Sequence, residues 1–261
     1  KNVVNPDDII AEYGADTFRL YEMFMGPLES SKPWNTRDVG GLYKLCNRIW
    51  RLFVDADSGE MSSALVADDP TREQLRILHK TIQHVTEDVE NLKFNTAIAR
   101  LFDFVNALTP MERRPVTVLE PFLRVLAPFA PHLADELHQR LRHAGLVLEA
   151  DAALGDSARR RAGYARHDTD AAAEEIFGND TSIARLPWPT YNEALARDDE
   201  VEIAVQILGK VKAKIMVSAD ADEAMLEQVA LADPKVREQL VGKTVRKVIA
   251  VRGRLVNIVA N

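Results

Sequence analysis

The sequence predicts a mainly α protein: an antiparallel helical bundle followed by a small α+β domain. Three observations carry this. Apolar residues recur at helical spacing from Pro6 through Leu141. Strand-like alternation replaces that period at Val201. Between the two, "DAALGDSARRRAGYARHDTDAAAEEIFGNDTS" (151–182) is small, polar and charge-rich with little periodicity, and reads as a mobile insertion. The 261 residues, 46% hydrophobic and 28% charged, suffice for one large domain or two smaller ones of ordinary globular composition.

The opening "VNPDDIIAEYGADTFRLYEMFMGPLE" predicts two short helices back to back. Asn5 is a good N-cap, Pro6 suits the first helical position, and Asp7 and Asp8 favour the positive end of the dipole. Gly14 is the natural stop. Phe18, Leu20, Tyr21, Phe24 and Met25 then give the second helix a wide apolar face, ended by Gly26-Pro27. After a turn-rich loop, Asn35 or Thr36 caps a helix with Leu42, Leu45, Cys46, Ile49, Trp50 and Phe53 on one face and Lys44, Arg48 and Arg51 on another. Gly40-Gly41 lacks the preceding strand and following Gly-Lys-Ser/Thr of a phosphate loop, so close helix packing is its reading.

From Thr71 a long helical pattern runs to Pro110, with a kink or short break at Asn91 and Asn95. "VTVLEPFLRVLAPFAPHLADELHQRL" gives two more helices, interrupted at Pro128 to Pro131 because proline removes a backbone donor. Amphipathic helices joined by short connections pack as a bundle. The proline-stiffened stretch "ARLPWPTYNEALARDD" leads to the second domain, with the linker itself placed at residues 191–200. There Val211, Ala213 and Ile215 alternate with Lys210, Lys212 and Lys214, which places three ammonium groups on one strand face after a turn near Gly209. One or two short helices follow, then a hairpin turning at Arg252-Gly253. Such a module is near the lower size limit for a self-supporting core.

Composition narrows the chemistry. Cys46 is the sole cysteine and cannot form an internal disulfide; a buried structural thiol is its reading. The six histidines contain no His-Glu-x-x-His pair, and the three tryptophans read as packing anchors. No apolar run approaches the roughly 18 residues of a membrane span, and a cytoplasmic protein is expected. Net charge is −7, but from Val201 onward ten Lys and Arg stand against seven Asp and Glu. The remainder holds 23 against 33, so a basic module sits on an acidic body and polyanion contacts belong at the C-terminal end.

"KNVVNPDDIIAEYGADTFRLYEMFMGPLESSKPWN" resembles the segment that follows the KMSKS signature in class I aminoacyl-tRNA synthetases, and "RLYEMFMGPLESSKPWN" points to their leucyl branch. "LAPFAPHLADEL" is similar to the family's helical anticodon-binding domain, and "ILGKVKAKI…GKTVRKVIAVRGRLVNIV" to the C-terminal module of its bacterial leucyl members. KMSKS, the HIGH signature, the nucleotide-binding core and the editing domain are not in the sequence given, so no catalytic residue is assigned and no cofactor is expected here. The resemblance implies ATP and Mg2+ for a parent enzyme that joins leucine to tRNA(Leu) through leucyl-adenylate. It also implies a monomer whose partners are tRNA(Leu) and the catalytic and editing domains. Residues 1–33 are then a connector from the signature loop, 34–190 the bundle with its insertion, and 201–261 the tRNA-binding domain. The expected RNA contacts are Lys210, Lys212, Lys214, Lys243, Arg246, Lys247, Arg252 and Arg254, with Lys44, Arg48 and Arg51 as a second set, because cations neutralise phosphates and release counterions. The alternatives are lysines that merely blunt a sheet edge, a protein-interaction helical module, or the same region of an isoleucyl, valyl or methionyl enzyme.

Overall fold

The computed structural model describes residues 3–146, 182–198, 200–219, 221–251 and 254–261. The expected insertion at 151–182, except Ser182, lies outside them, as do Arg252 and Gly253. The chain forms two compact units, residues 1–196 and 197–261.

In the first unit α1 (Pro6–Tyr13) begins at Asn5, whose side chain accepts from the Asp7 N–H at 3.2 Å. α2 (Ala15–Phe24) follows after Gly14 alone, at φ +88°, a conformation that side-chain-bearing residues rarely adopt. Leu20 and Tyr21 are buried in the same core as the later helices, so the expected connector is packed into the bundle. The Tyr21 hydroxyl accepts from the Asn35 N–H and donates to its carbonyl, both at 3.1 Å, which docks α2 on the start of α3 (Thr36–Phe53). The Gly40-Gly41 pair does not mediate close helix packing as the sequence suggests: a Cβ at either would meet no described atom within 4 Å.

α4 (Arg72–Glu90) starts with a reciprocal capping box between Thr71 and Gln74. The break after it is a full turn at 91–93, with Leu92 at φ 56°, and Asn95 lies inside α5 (Phe94–Leu108). A two-residue parallel pairing joins β1 (Leu65–Val66) to β2 (Arg114–Pro115). α6 (Val116–Leu126) is buried at every residue except Arg124, as befits the central helix of a bundle. Its Phe122 stacks on Phe104 of α5 with centroids 4.0 Å apart. α7 (Pro131–His143) closes the bundle.

Residues 191–196 are not the linker that the sequence suggests. They form a strap on α4: the Asn192 N–H donates to His79 Nδ1 at 3.3 Å, Arg72 Nη2 donates to the Ala194 carbonyl at 3.1 Å, and α8 (Glu193–Ala196) buries Ala196. Just upstream, Trp188 Nε1 donates to Thr86 Oγ1 at 2.8 Å. These backbone and indole bonds hold a segment whose prolines prevent a longer helix.

The second unit is a four-stranded sheet in the order β4-β3-β6-β5. Its strands are β3 (Glu200–Ile207), β4 (Lys210–Ser218), β5 (Val245–Val251) and β6 (Leu255–Ala260). β3 and β6 pair in parallel at the centre, and each has an antiparallel outer neighbour. Leu208 at φ 52° and Gly209 at φ 77° join β3 to β4, the paired positive φ of a type I′ hairpin. α9 (Glu223–Ala232) and α10 (Pro234–Leu240) are capped by Asp222 and Asp233. They pack Leu226, Ala230 and Val236 on one sheet face, against Ile203, Val205, Ile215 and Val256 among others.

Candidate nucleic-acid interface

The other face of that sheet carries part of the predicted cation set. Val205 pairs with Ala213 but Gln206 with Val211, so Lys212 is the extra residue of a bulge. The bulge undoes the simple alternation. It turns Val211 outward, 55% exposed, and gives Lys210 the core-face residue Ile207 as its partner. Lys212 and Lys214 therefore share the open face, whereas Lys210 stands on the other parity at the strand's start. This corrects the expectation of three ammonium groups on one face. A bulge depends on the partner strand and leaves no trace in the period of β4 alone.

On β5, Val248 and Ala250 pair with the core residues Ile258 and Val256, so Lys247, Ile249 and Val251 face outward with Lys212 and Lys214. Lys214 Nζ is 2.8 Å from Glu202 Oε1, and this contact holds the ammonium above its usual pKa. Lys243 Nζ donates to the Gln239 carbonyl at 2.9 Å near the end of α10. Arg246 Nε donates to Asn261 Oδ1 at 2.8 Å. Arg254 is exposed, and Arg252 lies outside the described residues. Residues 201–261 contain no Phe, Tyr, Trp or His. Such a surface has no ring on which to stack a base, so its chemistry suits phosphate and shape rather than base reading.

In the bundle Lys44 and Arg51 are exposed on α3. Arg48 is half-buried and donates through Nη2 to Thr109 Oγ1 at 3.3 Å, tying α3 to the end of α5. The three do not act alike: Arg48 is engaged in helix packing.

Several functional-looking groups escape a reading of the sequence. Asp16, in "YGADTFR", accepts from the Leu133 N–H at 2.6 Å and lies 2.8 Å from His132 Nδ1, so it caps α7, a helix without a local side-chain cap. Arg19 Nη2 donates to the Pro128 carbonyl at 2.8 Å in the α6–α7 turn. Gly14, Asp16 and Arg19 thus form a joint and two clamps, which gives that motif a mechanical meaning. Glu120 on α6 is wholly buried, with Arg124 Nε at 2.7 Å and His138 Nε2 at 3.5 Å. Burial alone would raise its pKa, but the charge of Arg124 and the bond from His138 hold the carboxyl down at about 2. Cys46 is the reverse case: burial pushes its thiol up to about 11, too high for a nucleophile at neutral pH.

An acidic helical bundle is thus linked to a basic sheet module without base-stacking rings. The chain belongs to the family of anticodon-binding domains of tRNA ligases, which matches residues 71–230, more than half of its length. More particularly, it is 43% identical over 260 residues to a leucine–tRNA ligase of Rhodopirellula baltica, covering 99% of this chain. Its fold matches the LeuRS of Agrobacterium radiobacter K84 agnB2, solved as a ternary complex with tRNA and LeuAMS, with a TM-score of 0.62 and 25% identity over 100% of this chain. The chain spans 24% of the first protein's length and 31% of the second's.

Proposed function

We propose that this chain is the tRNA-holding portion of a cytoplasmic leucine–tRNA ligase that joins leucine to tRNA(Leu). The observation that carries the reading is the 43% identity to a leucine–tRNA ligase, which runs through both units. In this reading the open sheet face of the second unit meets the tRNA backbone through Lys212, Lys214 and Lys247, with Lys210, Lys243, Arg246, Arg252 and Arg254 around it. Lys44 and Arg51 offer a second contact along the bundle. The joint at Gly14 and the clamps of Asp16 and Arg19 hold α1 and α2 rigidly to α7, so that a signature loop ahead of them would be positioned by the bundle. Among the described residues no three His, Cys, Asp or Glu gather as a metal site.

A fluorescence titration with leucine-accepting tRNA at two salt concentrations tests this. Binding should weaken steeply as salt rises. Lys212→Glu with Lys247→Glu should lower affinity about tenfold and reduce the salt slope by about two, one per phosphate contact. Unchanged affinity in that variant removes the sheet face from the interface. Absence of salt-dependent binding by the unaltered chain overturns the reading itself. Aminoacylation by the parent enzyme with leucine against isoleucine, valine and methionine tests the amino acid.

A further inference from the structure

A cleft of about 280 Å³ opens between α4 and α5, lined by none of the RNA-contact cations named above. Arg76, Lys80 and His84 line it from α4, Arg100 and Asp103 from α5, and Phe104 forms part of its apolar floor. The three α4 residues follow one another at four-residue steps, so they form one row about 12 Å long. Three permanent cations thus face one lining carboxylate. Arg100 is held loosely: its Nε is 3.8 Å from Asp88 Oδ2 and its Nη1 is 3.9 Å from Asp103 Oδ2, both beyond hydrogen-bond distance. Arg100 Nε is buried and has no hydrogen-bond partner among the described residues. Burial first, then the charge of Arg100, with Lys80 adding, holds the His84 imidazole below its usual pKa; Glu87 and Asp88 oppose.

We propose that this α4–α5 cleft is an oxyanion site that receives a phosphate group of an RNA backbone. The Arg100 guanidinium supplies a planar fork at the cleft wall, Arg76 a second fork, and Lys80 a compact charge. The apolar floor limits water and strengthens each contact. The row is longer than one phosphate needs, which suits successive phosphates of a strand passing along α4. The assignment of RNA rests on the tRNA reading above; the affinity for an oxyanion does not.

The test uses the His84 ring signals in NMR of the 261-residue chain, assigned by comparison with His84→Gln. Added inorganic phosphate, and separately added leucine-accepting tRNA, should raise the His84 titration midpoint, because a bound anion stabilises the imidazolium. Arg76→Gln with Arg100→Gln should abolish both responses, lower tRNA affinity about tenfold and reduce the salt slope by about two. Lys80→Gln provides a single-site variant should the double one unfold by tryptophan fluorescence, with a slope loss of about one. A His84 midpoint that neither ligand moves overturns the site. A response to phosphate but not to bound tRNA overturns the RNA assignment, as does a double variant that binds tRNA with an unchanged slope. Failure of the unaltered chain to bind tRNA at all instead overturns the function proposed above, and the phosphate response still decides whether the cleft takes an oxyanion.

Discussion

The bundle and the C-terminal unit solve the burial problem in opposite ways. Every aromatic residue of the sequence precedes Val201. The bundle core stacks rings such as Phe104 on Phe122, and it even encloses the charges of Glu120 and Arg124. The C-terminal core is aliphatic, built from Ile, Val, Leu and Ala on one side of a single sheet. Among the described residues of this unit the helices cover that side, and the other retains exposed Ile249, Val251 and Met216 beside its lysines. A small half-covered sheet has little stability to spare. Its uncovered face makes sense if what it presents matters more than what it buries.

The largest effect expected is in the bundle. Glu120→Ala leaves Arg124 and His138 without their buried partner and should lower stability by about 3–5 kcal/mol. All three tryptophans lie before residue 197, so their fluorescence during denaturation reports the bundle. The carboxyl's folded pKa, about 2, is below its ordinary 4.5. Its contribution is therefore present above pH 4.5 and is lost as pH falls toward 2. A bundle whose acid transition is unchanged by the substitution would show that the buried charges do not stabilise it.

In the C-terminal unit the comparable weak point is conformational. Gly209→Ala places a side chain at φ 77° and should cost about 1–2 kcal/mol, since left-handed backbone crowds a Cβ against the following carbonyl. Amide exchange along β3 and β4 would read this directly. An exchange pattern identical to that of the unaltered chain would mean that the hairpin is not what holds the sheet edge.

Local physics made much of this fold readable. Asn5 caps α1 as its sequence context predicts, Asn35 of the two candidates caps α3, and Lys212, Lys214 and Lys247 stand exposed. What escaped depends on distant partners. Asp16 caps a helix 117 residues away. The bulge at Lys212 is set by β3, and it moved Lys210 off the shared face. Glu120 looks like an ordinary helical acid until α6 is known to be enclosed on all sides. The strap at 191–196 was hidden because four helical residues are too few to show a period. Arg76, Lys80 and His84 were not singled out from the sequence, because only the packing of α5 turns their four-residue spacing into a cleft.

The smallest effect concerns Lys214, and it separates stability from recognition on the open face. Its ion pair with Glu202 joins two side chains that are 65% and 54% exposed, where water and salt screen the attraction. Removing Glu202 should leave the unfolding midpoint of the C-terminal unit unchanged. Its effect on RNA should be favourable, because Glu202 competes with phosphate for the same ammonium. Glu202→Gln should thus tighten tRNA binding and steepen its salt slope by at most about one, whereas Lys214→Met should weaken binding and flatten the slope by a similar amount. If both substitutions leave the slope where it was, Lys214 is a sheet-edge lysine held by its neighbour, and the phosphate contacts of this face fall to Lys212 and Lys247.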